Sequence, residues 1–144
     1  MNIHAMVVVI FYTEAGKILL QTRTDEGNDD GISAFLGGGI EIGEEPLSAL
    51  MREIREEVGY ILHEQRDQVS FLETRHFDLE ENKKMICHIF EAAFPGFEHF
   101  SDSDEVKLSE LDLFNLIEAQ ALKKSLIAES VLSEMNEQHY IPTR

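Results

Sequence analysis

The stretch that decides the reading is Gly38-Gly39-Ile40-Glu41-Ile42-Gly43-Glu44-Glu45-Pro46-Leu47-Ser48-Ala49-Leu50-Met51-Arg52-Glu53-Ile54-Arg55-Glu56-Glu57-Val58-Gly59-Tyr60. Pro46 suits the first turn of a helix, where no backbone donor is needed, and Gly59 suits a left-handed stop. Between them Leu47, Leu50, Met51, Ile54 and Val58 recur at helical spacing. At roughly 100° per residue these five fall within an arc of about 100°, a stripe that must be buried.

Glu53, Glu56 and Glu57 occupy a second arc of about 100° on the same wheel, beside the apolar stripe rather than opposite it. Like charges three and four residues apart destabilise a bare helix, and the edge of a core screens them poorly. Acidic residues on a helix are most often a solvated face, here with Arg52 and Arg55 as partners. A divalent cation is the other resolution, because Mg²⁺ takes oxygen ligands and combines a few carboxylates with substrate phosphate oxygens. Gly37, Gly38 and Gly39, just ahead of this helix, would let backbone approach a metal or phosphate closely.

The spacing separates the two readings. From Gly38 there are five residues to Glu44, then seven to Arg52-Glu53-Ile54-Arg55-Glu56-Glu57-Val58-Gly59-Tyr60. This resembles the Nudix box, Gly-x5-Glu-x7-Arg-Glu-U-x-Glu-Glu-x-Gly-U with U a bulky aliphatic residue, and every fixed identity matches. The chain is therefore similar to the MutT-like Nudix hydrolases. There are departures: Leu36 stands where many members have proline, Tyr60 fills the last aliphatic slot, and the chain has no Trp. None of these removes a metal ligand.

The resemblance implies an α/β (α+β) fold, an α/β/α sandwich around a mixed sheet. It implies a pyrophosphohydrolase that splits a nucleoside diphosphate linked to another moiety, with Mg²⁺ or Mn²⁺ as cofactor. Carried over by position, Glu53, Glu56 and Glu57 are metal ligands, joined by the backbone carbonyl of Gly38. Arg52 orients the carboxylates by pairing with Glu44. A diphosphate repels an attacking water by its own charge; metal ions neutralise that charge and align the substrate, and a carboxylate then accepts the water's proton. A box glutamate or Glu105, swinging in from the loop Ser101–Glu105, is the candidate for that last role. Arg23, Gly37 and Gly39 are the candidates for substrate contact.

Working outward, Met6–Tyr12 and Lys17–Thr22, joined around Glu14-Ala15-Gly16, read as a β-hairpin. A polar loop, Asp25–Gly31, precedes the short apolar piece Ser33–Leu36. Two strand-like runs follow the helix, near Gln68–Leu79 and Lys83–Phe94, turning at Glu80-Glu81-Asn82. Arg75, His76 and Phe77 lie on this hairpin, where structural roles are expected. After Pro95–Asp104, the run Val106–Leu108 leads into a helical pattern from about Leu111 to Gln138, with Leu122, Leu126, Ile127 and Val131 on its apolar face. No repeat or linker is evident, so residues 1–144 read as a single Nudix domain.

Composition narrows the partners. The chain has 144 residues and a formal net charge of −16, a field that repels nucleic-acid polymers and anionic membrane surfaces. It would repel a phosphorylated substrate too unless cations intervened. Ala5–Tyr12 reads as a buried strand rather than a signal peptide, and no stretch approaches the roughly 20 apolar residues of a membrane span. The single cysteine, Cys87, excludes an internal disulfide and fits a reducing cytoplasm, with core packing as its expected role. The expected partner is a small phosphorylated metabolite, a nucleotide; the resemblance also implies a homodimer as one form of assembly.

Two other classes were weighed. A non-catalytic Nudix-like nucleotide-binding or regulatory domain would be marked by lost box glutamates, and none is lost. A calcium-binding module would need an EF-hand loop, and Asp25–Asp30 has neither the ligand spacing nor the closing glutamate. On substrate, the ADP-ribose-type proline is absent near Arg75 and His76, and the dinucleoside-polyphosphate-type tyrosine is absent near Phe77. Leu19–Arg23 matches only the start of a coenzyme A-type signature. A nucleoside triphosphate, ordinary or oxidised, or a nucleotide sugar is left.

Overall fold

A computed structural model describes residues 2–24 and 30–135. Most of the loop expected at Asp25–Gly31, and the end of the helix expected to reach Gln138, lie outside the described residues.

The apolar run near the N-terminus forms β1 (Asn2–Tyr12), and the hairpin turn leads into β2 (Ile18–Thr22). The short apolar piece splits into β3 (Ser33–Ala34) and β4 (Leu36–Gly39), followed by α1 (Pro46–Val58). The second hairpin is β5 (Ser70–Asp78) and β6 (Lys83–Ala93), and the chain continues through β7 (Leu111–Phe114), α2 (Leu116–Gln120) and α3 (Leu126–Leu132). Among the described residues these strands form one mixed sheet, ordered β3-β2-β1-β6-β5, with β4 added to β1 and β7 to β2.

β1 is the centre of the molecule. It runs parallel to β6 along its whole length, from Asn2 opposite Lys83 to Tyr12 opposite Ala93. Its other edge is shared: Met6 to Val9 pair antiparallel with β4, and Tyr12 pairs with Ile18 of β2. A strand covered on both faces should be apolar without alternation, which is how Val7-Val8-Val9-Ile10-Phe11 reads. Val7, Val9 and Phe11 pack with Leu50, Ile54 and Val58 of α1, while Val8 and Ile10 pack with Ala128, Val131 and Leu132 of α3. One helix therefore covers one face and two short helices the other, the expected α/β/α sandwich. Cys87 is buried, as expected of a core residue.

The expected stripe of α1 faces the sheet: Leu50, Ile54 and Val58 are fully buried, and Leu47 and Met51 pack against the same core. Pro46 opens the helix, and Gly59, left-handed, closes it with its amide on Arg55 O. Among the described residues no helix is long and apolar enough to cross a membrane.

The C-terminal expectation needs correction. The span from Leu111 is not one helix: Leu111–Phe114 is a strand, pairing antiparallel with Ile18 to Gln21. The helical part is cut in two by residues that prefer to start helices. The Asn115 side chain accepts from Glu118 N at 2.8 Å and the Ser125 side chain accepts from Ala128 N at 3.3 Å. Leu122 lies between the helices, where its carbonyl accepts from the side chain of the half-buried Lys124.

Candidate active site

The site forms where β4 meets α1. At Gly37, φ is +150°, and a Cβ there would overlap the Val7 carbonyl across the strand pair, so only glycine fits. A Cβ at Gly38 would occupy the space held by the Glu53 carboxylate. These two glycines bring helix carboxylates onto strand backbone. Glu57 Oε1 accepts from the Gly37 amide at 3.0 Å, and Glu53 lies directly against Gly38.

Both carboxylates are buried, yet neither is neutralised by a close partner. Glu53 Oε2 is buried with no hydrogen-bond partner, and its nearest cation, Arg52 Nη1, stands 3.6 Å away. Burial raises the Glu53 pKa, opposed by Arg52 and reinforced by the charges of Glu56 and Glu105. Burial, and next the charge of Glu53, pushes Glu57 up to about 8. Such pairs persist when something else compensates them. Glu56 points outward instead, exposed and only loosely associated with Arg52 at 3.4 Å.

Arg52 organises the rim. Its Nε and Nη2 donate to the two oxygens of Glu44 at 2.8 and 2.9 Å, a bidentate pair. Nη2 also donates to the Gly39 carbonyl at 2.9 Å, so the glycine loop and the helix are tied through one guanidinium. Arg52 in turn holds Glu44 down at about 2, aided by the Glu41 amide. The expected Arg52–Glu44 pairing is present, and Gly39 is engaged through it.

Glu105 is exposed on the loop between β6 and β7, and its charge acts on both Glu53 and Glu57. It lines a cavity of about 250 Å³ together with Arg23, Thr24, Asp104, Lys107 and Glu110. Arg75 lies elsewhere, joined to Glu73 on its own strand and to Ser130 and Glu134 at the end of α3. It ties the sheet to its helical cover, the structural role expected of it.

Residues not foreseen from the sequence complete the surroundings. Ser101 donates from its amide to Val58 O at 2.8 Å, anchoring the start of the Glu105 loop on the end of α1. The buried Glu110 sits at that loop's far end and accepts from Gln21, Thr24 and Lys107. Neither has a motif or a periodic position that would have singled it out.

Among the described residues, no group of three His, Cys, Asp or Glu side chains is already spaced around a metal position. Glu56 is exposed and within 3.4 Å of Arg52, and its charge acts on both buried glutamates. The remaining donors do suit a divalent cation: two buried carboxylates, Glu53 with an oxygen that has no hydrogen-bond partner and Glu57 with its pKa pushed up to about 8 by burial.

A family model described as NUDIX domain matches residues 2–135. The chain belongs to the NUDIX domain family. It is a Nudix pyrophosphohydrolase, of a family whose members generally need a divalent metal and act on small nucleotide-like substrates. Solved structures share its fold. The solution structure of the Escherichia coli ORF135 protein superposes with a TM-score of 0.72 at 24% identity, covering 92% of this chain and 88% of the other. A MutT NUDIX hydrolase from Burkholderia pseudomallei gives 0.69 at 19% identity over 94% and 100%. The MutT protein from Methanosarcina mazei Go1 gives 0.71 at 18% over 92% and 91%. No protein with a curated description matches significantly in sequence.

Proposed function

We propose that this Nudix enzyme hydrolyses a diphosphate linkage in a nucleoside triphosphate, ordinary or oxidised, or a nucleotide sugar, with Mg²⁺ or Mn²⁺ as its ion. The observation that carries the reading is the pair of buried carboxylates, Glu53 and Glu57, pressed onto Gly38 and Gly37 with one oxygen left unpartnered. Glu53 and Glu57, with the Gly38 carbonyl and with Glu56 on rotation towards them, are the residues that would hold the cation. When bound, the ion supplies charge neutralisation for the diphosphate and acidifies water.

The chain's own groups do the rest. Arg52 fixes the helix carboxylates through Glu44 and the glycine loop through the Gly39 carbonyl. Water attacks phosphorus, a new P–O bond forms, and the bridging P–O bond breaks with its electrons leaving on the departing phosphate. The proton released by the water passes to a carboxylate, and Glu105 is our candidate because it is exposed and its charge acts on both buried glutamates. Arg23, which lines the same cavity as Glu105, is the candidate contact for substrate phosphate.

The test is phosphate and pyrophosphate release over ordinary and oxidised nucleoside triphosphates, nucleotide sugars, ADP-ribose and dinucleoside polyphosphates. Each is assayed with Mg²⁺, Mn²⁺ and EDTA, with Glu57→Gln as control. Turnover of nucleoside triphosphates or nucleotide sugars, lost in EDTA and in the variant, supports the proposal. Turnover that survives EDTA overturns the metal reading, and hydrolysis confined to ADP-ribose or dinucleoside polyphosphates overturns the substrate reading.

A further inference from the structure

Glu110 stands outside the Nudix box, yet among the described residues it is one of the few buried acidic side chains, only 8% exposed. Its carboxylate is saturated. Oε1 accepts from Gln21 Nε2 and from the Lys107 amide, each at 3.1 Å. Oε2 accepts from the Thr24 amide and the Thr24 hydroxyl, each at 3.0 Å. Burial alone would raise its pKa, but these hydrogen bonds outweigh that and hold it at about 2.

The donors come from two separate places. Gln21 belongs to β2 and Thr24 lies two residues beyond the strand's end; Lys107 belongs to the loop that carries Glu105. Gln21 Nε2 also reaches the Glu105 carbonyl at 3.4 Å. The loop is braced internally as well: the Ser103 hydroxyl accepts from the Glu105 and Val106 amides at 3.2 and 3.1 Å, and Asp102 accepts from the Leu108 amide at 2.7 Å. These internal braces give the loop a shape, but they do not fix it to the sheet. The start of the loop is fixed by Ser101 on α1; at its far end Leu111 pairs with Gln21 of β2, and the Glu110 side chain adds bonds to Gln21 and Thr24.

We infer that Glu110 is a positioning residue whose four-donor carboxylate clamps the Glu105 loop to the end of β2, so that Glu105 is presented to the cleft ready-placed rather than by a swing of the loop. This rests on the reading of Glu105 as proton acceptor given above. A carboxylate is needed for the task, because it offers four acceptor positions and no donor. A glutamine of the same size would turn an NH₂ towards two of the four donors and leave them unsatisfied.

The test combines Glu110→Gln, Glu105→Gln and the double variant on the fastest substrate of the panel, with amide hydrogen exchange of the metal-free proteins. Expected for Glu110→Gln is a kcat at least about tenfold lower with KM nearly unchanged, and no additional loss when Glu105 is already glutamine. The amides of Glu105 and Lys107 should exchange at least about tenfold faster, while those of α1 keep their protection. Thr24→Val, which removes one donor and is milder on the fold, should shift kcat and exchange in the same direction by less. Multiplying losses in the double variant, a raised KM with kcat intact, or unchanged exchange at residues 103–107 would overturn the clamp. Full activity in Glu105→Gln would instead remove the proton-acceptor reading, and with it the route by which Glu110 acts; the exchange data would still report whether the clamp exists.

Discussion

Glu57, on the last turn of α1, accepts the Gly37 amide at 3.0 Å, joining residues twenty apart in the chain. The bond ties a helix carboxylate to the backbone of a strand that is itself hydrogen-bonded to β1. It satisfies one oxygen of a group whose ionisation is opposed by burial and by the charge of Glu53.

Glu57→Gln keeps the acceptor for Gly37 and removes the charge. Turnover should fall by at least about 100-fold. In EDTA at pH 8 the variant should melt at or above the temperature of the parent, because the repulsion with Glu53 is gone. A variant that is both inactive and clearly less stable would contradict this account of the site.

The raised pKa of Glu57 sets a pH dependence for the metal-free protein. The folded state holds a proton up to about pH 8 that the unfolded chain releases near 4.5. This contribution is fully present below about 4.5 and is lost as pH rises through 8, so stability should decline across that window. Urea midpoints in EDTA at pH 5, 7 and 9 measure it. The decline should flatten in Glu57→Gln and on addition of Mg²⁺.

Gly37→Ala and Gly38→Ala should part company. The new methyl at position 37 meets the Val7 carbonyl and the Val8 backbone, which cannot move aside, so a loss of about 1–3 kcal/mol in unfolding free energy is expected. At position 38 the nearest atoms it meets are the carboxylate end of Glu53, a side chain that can swing aside. That variant should stay folded and lose activity, as Glu53 is pushed off the glycine loop. Equilibrium unfolding and turnover, measured side by side, separate the two cases.

Arg52→Lys preserves the charge but not the planar fork that spans Glu44 and the Gly39 carbonyl. A fall of about ten- to a hundredfold in turnover is expected, with a higher metal concentration needed for half-maximal rate. Titration of activity with Mg²⁺ checks both.

The box helix was legible because its evidence is local. The apolar stripe, Pro46, Gly59 and the spacing of Glu44, Arg52, Glu53, Glu56 and Glu57 all lie within one short segment, and the stripe is buried as read. The C-terminal region misled for an equally physical reason. The apolar residues of Leu111–Phe114 fall in phase with those that follow, and only their pairing with Ile18 to Gln21 makes them a strand. Burial also split the three glutamates in a way spacing does not reveal, enclosing Glu53 and Glu57 and leaving Glu56 in solvent. Glu110 was illegible altogether, since its partners Gln21 and Thr24 lie 89 and 86 residues away and nothing near it differs from a surface glutamate.

The shared edge of β1 has a consequence for how such an enzyme diversifies. The glycine loop hangs on Met6 to Val9, at the centre of the sheet, whereas Arg23 and Glu105 sit on segments outside the sheet's strands. The buried carboxylates are thus held on the most protected part of the chain, while the proposed proton acceptor and phosphate contact stand on its periphery. Substitutions around Arg23 can therefore accumulate without disturbing the strand pairing that holds Gly37 and Gly38 against the helix carboxylates.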